Sequence, residues 1–356
     1  MNSTVKLIQN VVPKSQIAKV KAIRFSLAKK ILFFFRSYRL TSSLYYALFS
    51  KAFDREHQSV LYGRVEYLKS SNNNLNCSYL VRRNIHRLEK GLIMRPRREI
   101  FATNYIEETV AGYRCLLNSK NIDLTDDELK WAHDVLNEYF KVVKFEPHIE
   151  KVKQEFLGLK SINEGNKYIP YKRDLSGNPV SYEQFLKLCW QRRSVRWYLS
   201  KKVPRELIDK SITAACLSPS ACNRQPFEFR VFDEPEMVQK ISDISWGTRG
   251  FNHNFPTIVI VIGKLNAYFS ERDRHIIYID ASLASMSLMF ALETLGLSSC
   301  PINWPEIESW DVQISDLINL KPYERVIMLL SIGYPDPEGM VPYSKKKSLD
   351  KIRRYS

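Results

Sequence analysis

No Asp or Glu precedes Asp54, the six cysteines include no CxxC pair, and no apolar run approaches membrane-spanning length. Each absence removes a class of protein. A chain of 356 residues can bury a core without disulfides, so Cys77, Cys115, Cys189, Cys216, Cys222 and Cys300 read as reduced thiols of a cytoplasmic protein. The six histidines show no HxxxH or mixed Cys/His ligand spacing, so no metal site is expected. The longest apolar runs, such as residues 31–35, fall far short of the roughly 20 residues of a transmembrane helix. No GxGxxG follows a strand-like run, which leaves a nicotinamide-binding Rossmann unit without support.

What the chain has in excess is positive charge, a formal +16 with pI near 9.4. Nucleic acid, anionic lipid and phosphorylated small molecules all attract such a surface. Charge alone speaks for nucleic acid and no recognition module accompanies it, so no nucleic-acid partner is expected. Lys14, Lys19, Lys21, Arg24, Lys29, Lys30, Arg36 and Arg39 stud the acid-free beginning, interleaved with Ile23, Phe25, Leu27, Ile31, Leu32 and Phe33 to Phe35. Apolar residues three and four apart with basic ones between predict basic amphipathic helix. Two outcomes stay open. Residues 1–50 attach to an anionic membrane surface, or the helix packs on its own domain with a solvated basic face. An organelle transit peptide fits the lysines and bulky aromatics less well.

Ser70 to Asn74 reads as a polar loop, and Tyr79 to Gly91 as a helix stopped by Gly91, with Arg82, Arg83, Arg87 and Lys90 giving it a solvated or phosphate-facing side. His86 on that helix is a surface histidine before it is a catalyst. Helices are expected over Asn104–Leu117 and Asp126–Val143, the second with Thr125 as N-cap and acids in its first turn. Residues 160–180 have linker composition, which divides the chain into a helical, basic region over 1–175 and a chemistry-bearing unit over 176–356. In that unit, Tyr182–Gln191, Arg205–Leu217 and Ile276–Leu295 read as helices, and Phe227–Phe232, Thr257–Gly263 and Val326–Gly333 as strands. The third helix is apolar nearly all round and rich in small residues, suited to a core or a subunit interface. The alternation indicates an α+β sandwich.

Two polar clusters flank one helix. Arg192, Arg193, Ser194 and Arg196 gather cationic donors and a hydroxyl within one turn, which suits a phosphate. Pro219, Ser220, Asn223, Gln225 and Pro226 follow that helix, with amides offering donor and acceptor together, as an imide-edged ring demands. Local turn bonding of Asn223 and Gln225 is the competing account. No acid–base dyad stands out.

The two strings in this order, RRSVRWYLSKKVPRELIDKSITAACLSPSACNRQPFEFRVF, resemble the opening signature of the nitroreductase family of FMN-dependent oxidoreductases. The likeness continues through ALETLGLSSCPINWP, VIMLLSIGYPDPE and the basic tail SKKKSLDKI, and covers about half the chain from Ser181 onward. It implies a three-layer α-β-α sandwich with a mostly antiparallel sheet, preceded by the helical amino-terminal region. It also implies a homodimer with shared flavin sites, FMN, NADH or NADPH as donor, and a small-molecule acceptor served by ping-pong hydride transfer. By the same resemblance Arg192, Arg193, Ser194 and Arg196 grip the phosphate and ribityl chain, and Pro219, Ser220, Asn223 and Gln225 approach from the partner subunit. Pro301, Asn303 and Trp304 fall near flavin N5, whose chemistry leaves no side chain as the catalyst. Lys346 and Lys347 fall where the family's basic tail meets the phosphate, and Lys345 would serve in a register shifted by one. Some members carry an acid and a glycine where this chain has Asn303-Trp304, so the indole would narrow the pocket or stack on its ligand. The long basic beginning is similar to that of members found with bacterial surface-polysaccharide genes, which implies a dedicated substrate. A dehydrogenase or oxidase, or a membrane-peripheral assembly component with a retained flavin fold, are the alternatives.

Overall fold

A computed structural model describes residues 14–72, 78–119, 125–160 and 165–355. Residues 1–13 of the expected amphipathic segment lie outside the described residues. The chain divides into two compact units, residues 1–57 and 58–356.

The first unit contains α1 (Lys14–Phe35) and α2 (Arg39–Leu48). The hydroxyl of Thr41 donates to the carbonyls of Phe35 (2.8 Å) and Tyr38 (2.9 Å), and Ser42 Oγ donates to the Phe35 carbonyl (3.0 Å). The Phe35 carbonyl is one of those that the end of α1 leaves without a helical partner. Phe35 packs on Tyr45 and Phe49, with ring centroids 5.7 Å apart in both pairs.

The second unit begins inside α3 (Asp54–Asn72), which continues through residues 70–72 where a loop was expected. Four helices follow: α4 (Ser78–Leu92), α5 (Ile106–Asn118), α6 (Asp126–Val142) and α7 (Pro147–Leu157). Their facing sides bury Ile85, Leu88, Ile106, Tyr113, Leu136 and Tyr139 in one core. Thr125 caps α6 as expected, in a reciprocal capping box with Glu128. Gly91 does not stop α4, which runs to Leu92. The glycine is needed for approach: a Cβ there would lie 2.5 Å from two ring carbons of Phe101.

The remainder holds α8 (Tyr182–Gln191), α9 (Arg205–Cys216), β1 (Phe227–Phe232), α10 (Pro235–Ile244), β2 (Thr257–Lys264), α11 (Ile276–Thr294), β3 (Ser298–Asn303), α12 (Glu308–Ile318) and β4 (Glu324–Gly333). The four strands form one antiparallel sheet in the order β1-β2-β4-β3. Alternation along β2 sends Val259 and Val261 to a core shared with Ile208 of α9 and Ala281, Ala284 and Leu288 of α11. Ile258, Ile260 and Ile262 point into a second core with Ile241 of α10 and Trp310 and Ile314 of α12. A sheet buried on both faces explains the unbroken TIVIVI run. The result is a three-layer α-β-α sandwich. Among the described residues one helix, Glu271–Thr294, is long and apolar enough to cross a membrane, and 44% of its most apolar window is buried inside the chain.

Candidate functional site

Arg192 closes α8 as its C-cap, and the next residues run out along β3, where Ser194 makes a parallel bridge to Ser299. The Val195 amide donates to the Ser299 carbonyl at 3.1 Å. The guanidinium of Arg193 donates to the carbonyls of Pro342 (2.6 Å) and Tyr343, so it holds the start of the tail that carries Lys345, Lys346 and Lys347. Those lysines are exposed. Arg196 lies over the Phe251 ring at 5.6 Å and donates to the Ser194 carbonyl at 3.3 Å. Pro301 and Asn303 sit two and four residues beyond Ser299 on the same strand, about 7 and 13 Å further along. A proline is tolerated there because β3 is at the sheet edge. The structure therefore gathers Arg192, Arg193, Ser194, Arg196, Pro301 and Asn303 along one edge, with the basic tail tied to it.

Polar atoms at this edge are left over. Arg192 Nε, Ser299 Oγ and Glu293 Oε1 are buried without a hydrogen-bond partner among the described residues. Burial pushes the Glu293 carboxyl above the usual range, opposed by Ser298, Arg192 and Gln191. Burial also raises the Cys300 thiol, against the pull of Arg196, Ser194 and Arg192. A neutral thiol is a poor nucleophile, so Cys300 serves as packing. Cations with an unspent donor fit an anionic, phosphate-bearing group.

Trp304 is different. Its indole is buried, meets Trp310 edge-on at 5.6 Å, and donates Nε1–H to Asp311 at 2.9 Å. The expectation that it narrows a pocket or stacks on a ligand is corrected: the ring belongs to the core beneath the sheet.

The second cluster lies in the turn before β1. Cys222, Asn223 and Gln225 all have φ near +50°, the left-handed region that side chains disfavour. Several bonds hold this strained loop. The Ala221 amide donates to Asp280 (2.9 Å), the Gln225 amide to Ser220 Oγ (3.1 Å) and the Asn223 amide to the Ser220 carbonyl (3.0 Å). Gln225 Nε2 donates to Asn223 Oδ1 (3.3 Å), which leaves Asn223 Nδ2 and the Gln225 side-chain oxygen without partners among the described residues. Local turn bonding thus takes part of the amide capacity, and one donor and one acceptor remain. Burial raises the Asp280 carboxyl, against the Ala221 amide and Arg224.

Sequence reasoning missed two arginines here. Arg224, buried between the two flagged amides, lies 5.0 Å over the Tyr268 ring with its Nε unpartnered among the described residues. Arg82 of α4 is buried, donates Nε–H to the Asn223 carbonyl at 2.9 Å and pairs with Glu128. The basic side of α4 was expected to face solvent or phosphate. It is turned onto its neighbours instead: Arg83 pairs with Glu108 and Arg87 lies 3.6 Å over the Tyr105 ring. No local pattern announces this, because the partners are 18 to 141 residues away. His86 is occupied by Glu89 (3.3 Å), which also accepts from Trp131.

The two clusters do not converge within one chain. Phe227, just after the loop, is level with Gly263 and thence Arg325, whereas Ser299 is level with Ile332 on β4. Three strand spacings across and seven residues along separate them by about 25 Å. A cleft of about 590 Å³ between Tyr198–Lys202, Asp233–Pro235 and His253–Pro256 contains none of the residues singled out above.

Residues 190–249 and 246–334 match the model of the nitroreductase family. A putative NADH dehydrogenase/NAD(P)H nitroreductase of Archaeoglobus fulgidus is 30% identical over 157 residues, 44% of this chain and 88% of that protein. Iodotyrosine deiodinase 1 of Pongo abelii is 27% identical over 200 residues, 48% of this chain and 67% of the relative. Among solved structures, an FMN-dependent nitroreductase of Clostridium difficile is 26% identical, with a TM-score of 0.41 over 48% of this chain and 99% of its own. These names speak of nitroreductases and deiodinases and not of polysaccharide synthesis. With the sandwich, the arginine edge and the amide loop all inside the matched region, the chain belongs to the nitroreductase family and is an oxidoreductase.

Proposed function

We propose that the chain is an FMN-dependent oxidoreductase that works as a homodimer, taking reducing equivalents from NADH or NADPH and passing them to a small organic acceptor. The observation that carries this reading is the placement of the two clusters at opposite edges and ends of one sheet. A second copy brings the amide loop of one subunit to the arginine edge of the other. A surface suited to pairing is exposed: Tyr182, Phe185, Leu186 and Trp190 on α8 adjoin α11 through the Phe185–Phe290 ring contact, and α11 exposes Ile279 and Leu283. No residue of α8 is buried in the single chain.

Bound FMN would supply the two-electron chemistry at its ring. The chain's own residues bind and orient. Arg192, Arg193, Ser194 and Arg196 would hold the phosphate and ribityl chain, with Lys346 and Lys347 adding charge from the tail that Arg193 tethers. Pro219 and Ser220 would shape the opposite wall, and Asn223 and Gln225 would offer their remaining donor and acceptor to the polar edge of the ring. Pro301, Asn303 and the Trp304 backbone would border the reacting face. Residues 176–356 thus form the flavin-binding part, and the helices before residue 175 brace its amide loop through Arg82.

The visible spectrum of the purified protein tests this. Flavin absorption, bleached anaerobically by NADH or NADPH, is expected. Colourless protein that takes up no FMN on reconstitution overturns the reading. Bound flavin that neither nucleotide reduces favours the alternative, a dehydrogenase or oxidase of a dedicated substrate. The deiodinase relatives make halogenated phenols an acceptor class to assay beside nitroaromatics.

A further inference from the structure

We infer that the first unit is a docking surface for anionic lipid bilayers, which lies beyond the redox reading and does not depend on it. Residues 1–53 carry ten Lys and Arg and no acid. On α1 the residues Val20, Ile23, Leu27, Ile31 and Phe34 recur at three- and four-residue steps, one face of a helix. Their exposures are 51%, 66%, 58%, 38% and 70%, so they stand open among the described residues. Lys19 and Lys30 border this row, where their long stems can reach from it towards headgroups, and Lys29 lies on the opposite side with exposed Phe25 and Leu32. Leu40, Leu44 and Leu48 continue an exposed apolar row on α2 at four-residue steps. The unit does satisfy one side of itself, through Phe35, Tyr45 and Phe49, and leaves the stripe outward.

Charge decides what covers that stripe. A second copy would set ten cations against ten with no acid to offset them, which opposes self-association. A nucleic acid would satisfy the lysines and leave the apolar row in water. An anionic bilayer satisfies both at once, with acyl chains meeting Leu27 and Phe34 and headgroups meeting the lysines. The helix lies in the interface and does not span it, because six of the 22 residues of α1 are Lys or Arg.

Flotation of the full chain tests this with vesicles of phosphatidylcholine alone and of phosphatidylcholine mixed with phosphatidylglycerol. Recovery with the anionic vesicles only, reversed by raised salt, is expected. A basic residue at such a surface is worth about fivefold in partitioning, so Lys19→Gln with Lys29→Gln and Lys30→Gln should lower it about a hundredfold. Leu27→Ala with Phe34→Ala keeps helix propensity and should lower it at least ~10-fold. Equal recovery from neutral vesicles, recovery from neither, or undiminished binding by the Leu27/Phe34 variant overturns the proposal. So does lipid-free self-association that the same variant abolishes, since that would make the stripe a contact between copies. Flavin content, read on the same preparations, reports separately on the redox reading.

Discussion

Replacing Arg82 with alanine should damage a site to which that residue contributes no cofactor contact. Arg82 is 8% exposed and spends its guanidinium on the Asn223 carbonyl and on Glu128. Breaking a fully buried ion pair costs about 3–5 kcal/mol. The Glu128 side chain is 30% exposed and recovers part of its hydration, which reduces that figure. The orphaned Asn223 carbonyl adds back about 1 kcal/mol. A loss of about 2–3 kcal/mol in unfolding free energy follows. The loop that Arg82 restrains holds three left-handed residues, each storing on the order of 1 kcal/mol of strain. Freed of one restraint it relaxes, and FMN affinity should fall about tenfold or more, since 1.4 kcal/mol is a factor of ten. Urea unfolding and fluorescence titration of FMN measure the two quantities. Lys144→Ala is the control: Lys144 and its partner Glu99 are both exposed, so the loss should stay within about 1 kcal/mol. Arg82→Lys keeps the charge beside Glu128 but not the fork, and should recover stability more than flavin affinity. If Arg82→Ala leaves FMN affinity unchanged while lowering stability, the argued link between α4 and the amide loop is wrong.

Other outcomes follow from single contacts. Glu293 has its carboxyl raised above the ordinary 4.5 by burial, so the fold favours its protonated form and loses stability as pH rises from about that value through the raised one. Glu293→Gln should therefore gain on the wild type as pH increases across that window, by thermal unfolding at a series of pH values; a constant difference refutes it. Gly91→Ala would ordinarily stabilise a helix by about 1 kcal/mol, but the Phe101 ring, locked edge-on against Tyr139, should reverse the sign to a loss of about 1–3 kcal/mol in denaturant titration. Trp304→Phe removes the bond to Asp311 and should cost about 1–3 kcal/mol, while KM for the acceptor stays as it was; a shifted KM would return the indole to the pocket. Arg192→Ala should weaken FMN retention, seen as flavin per chain after gel filtration.

Local signals carried much of this fold. The Thr125 cap of α6 and the β-branched run of β2 are written within a few residues, and the structure follows them. Helix α10 was equally legible, with Pro235 and Glu236 in its first turn and Val238, Ile241 and Ile244 at helical spacing, but went unread. What could not be read depends on long-range packing. Gly91 has the look of a helix stop until Phe101 is placed against it, and Arg82 that of a surface charge until Glu128 and Asn223 close over it. Trp304 fell inside a recognised motif, yet the direction of its ring is set by Asp311, which the motif does not include.

The opposite-edge placement of the two clusters has a genetic consequence. In the proposed homodimer, a chain disabled at the arginine edge and a chain disabled at the amide loop should each be inactive alone, yet complement. In a mixed pair one site inherits both lesions and the other inherits neither. Equal amounts of the two dead variants, unfolded and reassembled together, should regain about a quarter of wild-type turnover, because half the pairs are mixed and each has one intact site.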